Sequence, residues 1–95
     1  MTEPGFAVSY LANPKPLYPK SARRNGEAGK VILKVLVTRE GLAGRVELES
    51  SSGSDALDRS ALEAVRRWRF TPATRGGEPL EAWVHVPIEF RLEDR

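Results

Sequence analysis

The side chains of this chain that come first into question for catalysis or metal binding are one histidine and a few carboxylates. His85 is the single histidine and there is no cysteine, so a metal site at His85 would have to recruit carboxylates. Asp55 and Asp58 stand at the start of a predicted helix, where acidic side chains are favoured by capping and by the helix dipole. The spacing of these residues indicates neither a general acid–base pair nor a nucleophile beside a base. We therefore expect no catalytic residues, no metal site and no cofactor.

Two glycine-rich stretches also fail to indicate phosphate chemistry. The stretch 41–44 lacks the Lys-Ser/Thr ending of a phosphate-binding loop, and Gly76-Gly77 precedes a strand instead of a helix. Disulfides, thiolate metal sites and thiol catalysis are excluded because cysteine is absent. We therefore predict that the protein is not an enzyme.

Size and composition suit one small domain. The chain has 95 residues, of which 40% are hydrophobic and 29% charged, a balance that favours a folded domain over disorder. It contains neither a long apolar run of the kind that spans a membrane nor a basic start followed by an apolar stretch. We expect a soluble domain whose targeting or anchoring segment lies outside this sequence.

A basic charge balance raises the question of nucleic acid. The net charge is +2, but acidic and basic residues are interleaved, and the longest basic clusters are Arg23-Arg24 and Arg66-Arg67. Arg66-Arg67 fits a solvated helix face, so we predict no nucleic-acid partner. A basic nucleic-acid-binding domain remains the alternative from a different functional class, and a steep salt dependence of DNA affinity would support it.

The first half of the chain predicts a short helix and a hairpin. Tyr18-Pro19 begins the helix, because proline suits its first position, and the helix continues over 20–25. Val31 to Thr38 predicts an interior strand, since both of its faces are apolar. Glu40-Gly41 forms the turn. Residues 42–50 then alternate and predict a half-buried strand with its polar face outward.

The second half predicts a long helix and a final strand. Ser54 or Asp55 caps a helix over 55–69, which Pro72 ends. Its apolar face carries Trp68, which we place in the core. Residues 75–79 form a loop. The last strand alternates strictly; one face has Ala82, Val84, Val86, Ile88, Phe90 and Leu92, and the other has Trp83, His85, Pro87, Glu89 and Arg91.

These elements predict an α+β fold in which two helices pack on one face of a three-stranded antiparallel sheet. A right-handed crossover gives the strand order 2-1-3 and puts the last strand at an edge, where Pro87 is tolerated. The domain covers residues 14–95, and residues 1–13 are a tail or the end of a linker. Phe6, Val8 and Tyr10 alternate, so this tail is equally consistent with a short extra strand.

A long, regular edge strand indicates a function in peptide binding. Trp83 projects from the outer face of this strand. The sequence fits two alternatives equally well: the N-terminal segment covers Trp83, or Trp83 faces a partner. A partner peptide can add to such an edge as a further strand. At about 1 kcal/mol per backbone hydrogen bond, about five or six bonds give reversible binding in the micromolar range.

The motifs of the chain resemble those of the TonB C-terminal domain family. The matching segments are Tyr18-Pro19-x-x-Ala22-x-x-x-Gly26, Gly29-x-Val31, Val37-Thr38-x-x-Gly41, Ser51-Ser52-Gly53, Leu57-Asp58, Ala61-Leu62-x-Ala64-Val65, Trp68-Arg69-Phe70-x-Pro72, Gly77 and Val86-Pro87-Ile88-x-Phe90. They cover residues 14–92 in the family's order and spacing. The helix that ends in Trp-Arg-Phe-x-Pro after Ser-Ser-Gly is the most specific of them.

The resemblance implies a periplasmic domain of a protein anchored in the inner membrane of a Gram-negative bacterium. Such a domain recruits the TonB box, a short segment near the N-terminus of an outer-membrane transporter for siderophores, haem or vitamins, as an added strand. An inner-membrane motor driven by the proton gradient acts through the remainder of the protein. The partner-binding residues implied here are Asn13, Pro14, Lys15, Pro16, Trp83, His85, Pro87, Glu89 and Arg91.

Other roles within the same class stay open at this point. One is a TonB-like domain of a TolA-type envelope coupler, and another is the sensor part of a membrane receptor. An open edge strand also allows two copies to exchange strands and form a homodimer. The sequence identifies neither the cognate transporter nor its substrate.

Overall fold

The computed structural model describes residues 13–92 of the chain. In chain order the elements are α1 (Lys20–Arg24), β1 (Gly29–Val37), β2 (Ala43–Ser50), α2 (Asp55–Val65), β3 (Ala73–Arg75), β4 (Glu78–Leu80) and β5 (Ala82–Phe90). The short strand considered around Phe6, Val8 and Tyr10 lies outside the described residues. Within those residues, neither helix is long and apolar enough to cross a membrane.

The main sheet has the strand order that the sequence predicts. β1 lies between β2 and β5 and is antiparallel to both. Its register with β5 is unbroken from the Gly29–Phe90 pair to the Val37–Ala82 pair. The α+β class, the single three-stranded antiparallel sheet and the edge position of the last strand are therefore confirmed.

The core lies between the sheet and the helices. Val31, Leu33 and Val35 of β1 are fully buried, because alternate residues of a strand point to the same face. Val86 and Ile88 of β5 join them from the neighbouring strand. From the helix layer and the segment that follows it come Ala22, Leu57, Ala61, Val65, Trp68 and Phe70. Each large side chain buried in this way contributes about 1.5–3 kcal/mol.

The predicted end of the long helix is wrong by one turn. α2 ends at Val65, and the following amides of Arg67 and Trp68 donate to the carbonyls of Ala64 and Val65. These bonds span three residues and tighten the chain, as often happens at a helix end. The tighter turn lets the chain leave the helix, and Arg69 pairs with Leu42 beside the sheet. Trp68 is nevertheless buried, as predicted.

Two further local predictions need correction. The predicted loop at 75–79 is the centre of a two-stranded hairpin, β3–β4, in which Gly76 and Gly77 have φ of 58° and 85°. Positive φ at both turn residues is the geometry that twists a tight hairpin correctly. β2 begins at Ala43, and Leu48, on its predicted buried face, is 44% exposed. The inner face of β2 is therefore more open than predicted.

A polar cluster joins the end of β2 to the start of α2. Asp58 is only 7% exposed, and its carboxylate accepts hydrogen bonds from the Ser51 hydroxyl at 2.5 Å, the Ser52 amide at 3.0 Å and the Ser52 hydroxyl at 2.8 Å. Ser54 caps α2 by accepting from the Leu57 amide. Burial raises the pKa of Asp58, but the three donors together outweigh burial and lower it. The carboxylate thus holds the crossover that positions α2.

Candidate functional site

The odd-numbered residues of β5 form a row on the face of the sheet that the helices leave open. Trp83, His85, Pro87 and Glu89 are all exposed, whereas the even-numbered Val86, Ile88 and Phe90 are buried under the helix layer. Arg91, just beyond the strand, is exposed as well. Within residues 13–92, no strand pairs with the outer side of β5. The structure therefore places these five predicted site residues along one edge of the sheet.

Trp83 is the largest exposed side chain in this row. It is 47% exposed, and the Lys34 ammonium lies 5.1 Å from the centroid of its ring. A cation over an indole face is attracted by the electron density of the ring. Lys34 belongs to β1, where it pairs with His85. The N-terminal segment that would cover Trp83 in one of the two alternatives lies outside the described residues.

The other predicted site residues lie in a segment that is tied to the helix layer. We call residues 13–17 the strap. The Asn13 side chain exchanges two hydrogen bonds with the Arg69 backbone, of 2.8 Å and 2.9 Å. The indole N–H of Trp68 donates to the Pro14 carbonyl at 2.8 Å, and the Ser60 hydroxyl donates to the Leu17 carbonyl. The strap is thereby fixed along α2.

The strap lies on the flank of α2 that faces away from β2. Residues two apart on a helix are separated by about 200°, so Asp58 and Ser60 lie on opposite flanks of α2. Asp58 binds Ser51 and Ser52 at the end of β2, whereas Ser60 binds the strap. Because β1 separates β2 from β5, the strap is on the β5 side of the helix layer.

Tyr18 connects the end of the strap to β5. Its ring meets the Phe90 ring edge to face, with centroids 5.4 Å apart. The Tyr18 hydroxyl donates to the Glu27 carbonyl, and the Arg23 guanidinium lies 4.8 Å from the ring centroid. These contacts fix the last part of the segment against the end of β5. Phe90 belongs to the buried row of β5, so Tyr18 and the exposed row of β5 lie on opposite faces of the sheet.

An open groove of about 570 Å³ runs between the strap and α2. Three predicted site residues, Pro14, Lys15 and Pro16, form one wall. The opposite wall is α2, whose contribution includes Arg59 and Glu63. Charges of both signs line this groove, and its walls carry no row of free strand backbone.

The described part of the site offers a strand edge and exposed side chains. The part of the chain that the structure describes holds no group of three or more histidine or acidic side chains able to bind a metal ion. His85 stands on the open sheet face, and Asp58 is occupied in its own cluster. What the edge of β5 offers a partner is the outer side of a strand backbone, with Trp83 beside it.

Sequence reasoning missed three features of this region. Lys34 could have been placed beside Trp83 from the strand register, once β1 and β5 were paired. The Asn13–Arg69 contact joins positions 56 residues apart and has no local signal. For Asp58 the sequence indicated only a position at the start of a helix. Its buried carboxylate accepts hydrogen bonds from Ser51 and Ser52, which the sequence did not indicate.

Comparison with known proteins gives consistent matches. A family model described as "Gram-negative bacterial TonB protein C-terminal" matches residues 14–92. The protein tonB2 of Pseudomonas aeruginosa is 45% identical over 89 residues, which are 94% of this chain and 33% of that protein. A TonB protein of Vibrio cholerae is 42% identical over 82 residues, 86% of this chain and 34% of that protein. The chain therefore spans about a third of the length of these relatives.

Two solved structures share the architecture. The solution structure of the Pseudomonas aeruginosa TonB C-terminal domain aligns with a TM-score of 0.71 at 28% identity, covering 86% of this chain and 83% of that one. The Helicobacter pylori TonB C-terminal domain aligns with a TM-score of 0.67 at 22% identity, covering 93% and 90%. At that identity the second match speaks for the fold alone.

Proposed function

Because the chain belongs to the TonB C-terminal domain family, we propose that it is a non-enzymatic coupling domain that binds a peptide by strand addition. The peptide is the TonB box of a TonB-dependent outer-membrane transporter. It adds to the outer side of β5 as a further strand of the main sheet. Through this contact the domain passes energy from the proton gradient to the uptake of siderophores, haem or vitamins.

The observation that carries this proposal is the edge position of β5. The strand is regular over nine residues, and within residues 13–92 its outer side has no neighbouring strand. An edge strand presents a row of backbone donors and acceptors that a second chain can use. Pro87 lacks an N–H, which discourages pairing with arbitrary strands and limits the register that a guest strand can adopt.

The strap supports the same location. It lies on the β5 side of α2, and Tyr18 at its end packs against Phe90. A guest strand beside β5 would therefore have the exposed row of β5 on one face and the strap on the other. Lys15, which is exposed in the strap, would contribute a positive charge and favour guest peptides with acidic residues.

The strength expected of such an interface suits a coupler that must release its partner. At about 1 kcal/mol net for each backbone hydrogen bond, about five or six bonds correspond to a dissociation constant of about 100 μM. We place the domain in the periplasm, attached through a part of the protein outside this sequence to the inner membrane and its proton-driven motor. This placement rests on the family, since the chain spans only 33% of the tonB2 relative.

A titration with synthetic peptides tests the proposal. Peptides copied from the N-terminal segments of TonB-dependent transporters are added to the isotope-labelled domain, and backbone amide shifts are followed. We expect the largest shifts along β5 and the strap, with saturation at peptide concentrations well above about 100 μM. A scrambled peptide of the same composition is the control. Shifts confined to the exposed face of α2, or none with any transporter peptide, would reject strand addition at β5.

The same experiment separates the alternatives. A TolA-type coupler or a receptor sensor domain would leave the β5 amides unmoved by transporter peptides. A homodimer that exchanges edge strands would instead show β5 shifts that depend on protein concentration without peptide.

A further inference from the structure

We infer that Lys34 and Trp83 form a subsite that selects for an acidic side chain in the guest strand. This inference rests on the proposed strand addition at β5 and adds to it a determinant of peptide sequence. The subsite lies on the open face of the sheet, at the half of β5 that begins with Ala82. It differs from the strap, which is on the helix side.

The position of the Lys34 ammonium is the first step. In the register of the sheet, Lys34 lies opposite Glu47 on β2 and opposite His85 on β5. Its ammonium is found over the ring of Trp83, 5.1 Å from the centroid. Trp83 is the diagonal neighbour of Lys34 toward the outer edge of the sheet. The side chain thus carries its charge away from Glu47 and toward the edge where the guest would bind.

The charge of Lys34 has no carboxylate partner in the described part of the chain. The ion pair that the structure contains there joins Arg45 and Glu47, with 3.2 Å between nitrogen and oxygen. Glu47 is thus already engaged by a neighbour on its own strand. The other lysine on this face of β1, Lys30, differs because it lies opposite Glu89. Lys34 lies opposite a histidine and beside a tryptophan.

A guest strand would bring side chains within reach of this charge. Neighbouring strands are about 4.8 Å apart, and every second side chain of the guest points to the open face. A guest carboxylate beside Trp83 would therefore approach the ammonium over the indole ring. The half-exposed indole also excludes some water, which strengthens the contact. Guest residues of the other parity point to the helix side and cannot reach Lys34.

The test uses pairs of peptides that differ in charge alone. The parent is the transporter peptide that binds best in the titration described above. Each position in turn is replaced by Glu and, in a second peptide, by Gln, and the two dissociation constants are compared. We expect Glu to bind about two- to five-fold tighter than Gln at the one or two open-face positions nearest Trp83. At the intervening positions, the ratio of the dissociation constants of the Glu and Gln peptides should be the same in wild type and in a variant without the Lys34 charge.

Substitutions in the domain identify the side chain responsible. Lys34→Met keeps the aliphatic stem and should abolish the preference for Glu at those positions, while Lys34→Arg should retain it. Lys30→Met is the matched control, since it removes a lysine from the same strand and face, and it should leave the preference intact. High salt should weaken the preference, because the pair is partly exposed. The Trp83 indole resonance should shift with the Glu peptide more than with the Gln peptide.

The outcomes distinguish this inference from the proposed function. If peptides bind at β5 with the same Glu-to-Gln ratio in wild type and Lys34→Met, the subsite is rejected and strand addition stands. Loss of the preference in Lys30→Met as well would show a general charge effect and would also reject the subsite. If no transporter peptide binds, the proposed function fails and this inference fails with it.

Discussion

The side-chain amide of Asn13 pairs with the backbone of Arg69 as a neighbouring strand would. Its nitrogen donates to the Arg69 carbonyl at 2.8 Å, and its oxygen accepts from the Arg69 amide at 2.9 Å. Arg69 also pairs with Leu42 beside the sheet. One side chain therefore ties the start of the strap to the chain that leaves α2.

Replacement of Asn13 tests whether this pair holds the strap. Asn13→Ala removes both hydrogen bonds and should lower the free energy of unfolding by about 1–2 kcal/mol. The measurement is urea unfolding followed by circular dichroism. Lys15→Ala is the matched control in the same segment, because Lys15 is exposed, and it should change stability little. Equal stability of the two variants would show that the strap is held by other contacts.

Trp68 combines core packing with a hydrogen bond, and two substitutions separate these contributions. The side chain is 2% exposed, and its N–H donates to the Pro14 carbonyl. Trp68→Ala should cost about 3–5 kcal/mol and leave little folded domain. Trp68→Phe keeps most of the ring volume, so we expect a smaller cost and a freer strap. A thermal shift of only a degree or two for Trp68→Ala would contradict the burial of this residue.

Gly41 occupies a turn that admits no side chain. Its φ is 85°, and a Cβ added there would lie 2.3 Å from the Phe70 carbonyl oxygen. Gly41→Ala should therefore be strongly destabilising, by more than the roughly 1–2 kcal/mol of a positive φ alone. Gly53→Ala is the comparison, since Gly53 also has a positive φ but open space around it. In thermal unfolding, the melting temperature of Gly41→Ala should be clearly lower than that of Gly53→Ala.

Asp58 should make stability depend on pH. Its three hydrogen-bond donors lower its pKa in the folded protein, whereas an unfolded aspartate titrates at about 3.9. The unfolded chain then binds the proton more readily, so this contribution is complete above about pH 4–5 and is lost as the pH falls through the folded pKa. Urea unfolding at neutral and acidic pH should show a smaller acid loss in Asp58→Asn than in wild type.

The matched control for this pH effect is Asp55→Asn. Asp55 starts the same helix but is exposed, so this variant should retain the acid sensitivity of the wild type. The same acid sensitivity in Asp58→Asn and wild type would show that the Asp58 cluster is not a source of acid lability.

Much of the fold follows from hydrophobic periodicity. The strict alternation of the last strand gave its buried face correctly, and the two apolar faces of β1 indicated its central position. The core position of Trp68 followed from the apolar stripe of the helix. These predictions succeed because burial is set by which residues share a face, and sequence spacing determines that directly.

The parts that sequence reasoning missed depend on distant contacts. α2 ends at Val65 because the chain turns to pair Arg69 with Leu42, and nothing in the helical pattern of Arg66 and Arg67 indicates this. Asp58 needs the end of β2 beside it before its buried role is visible. The proposed peptide site also depends on parts of the chain that are distant in sequence. The sequence placed its residues on two segments, and their contacts with a peptide remain predictions.

Hydrogen exchange along β5 tests the central claim most directly. A strand exposes its N–H groups to alternate sides, and the tolerance of Pro87 at the edge assigns the odd-numbered residues to the outer side. Addition of a transporter N-terminal peptide should therefore slow exchange at His85 and Glu89. Val84 and Val86, which bond within the sheet on this assignment, should change little. Protection gained at Val84 and Val86 instead, or at neither pair while the peptide binds elsewhere, would contradict strand addition at the edge of β5.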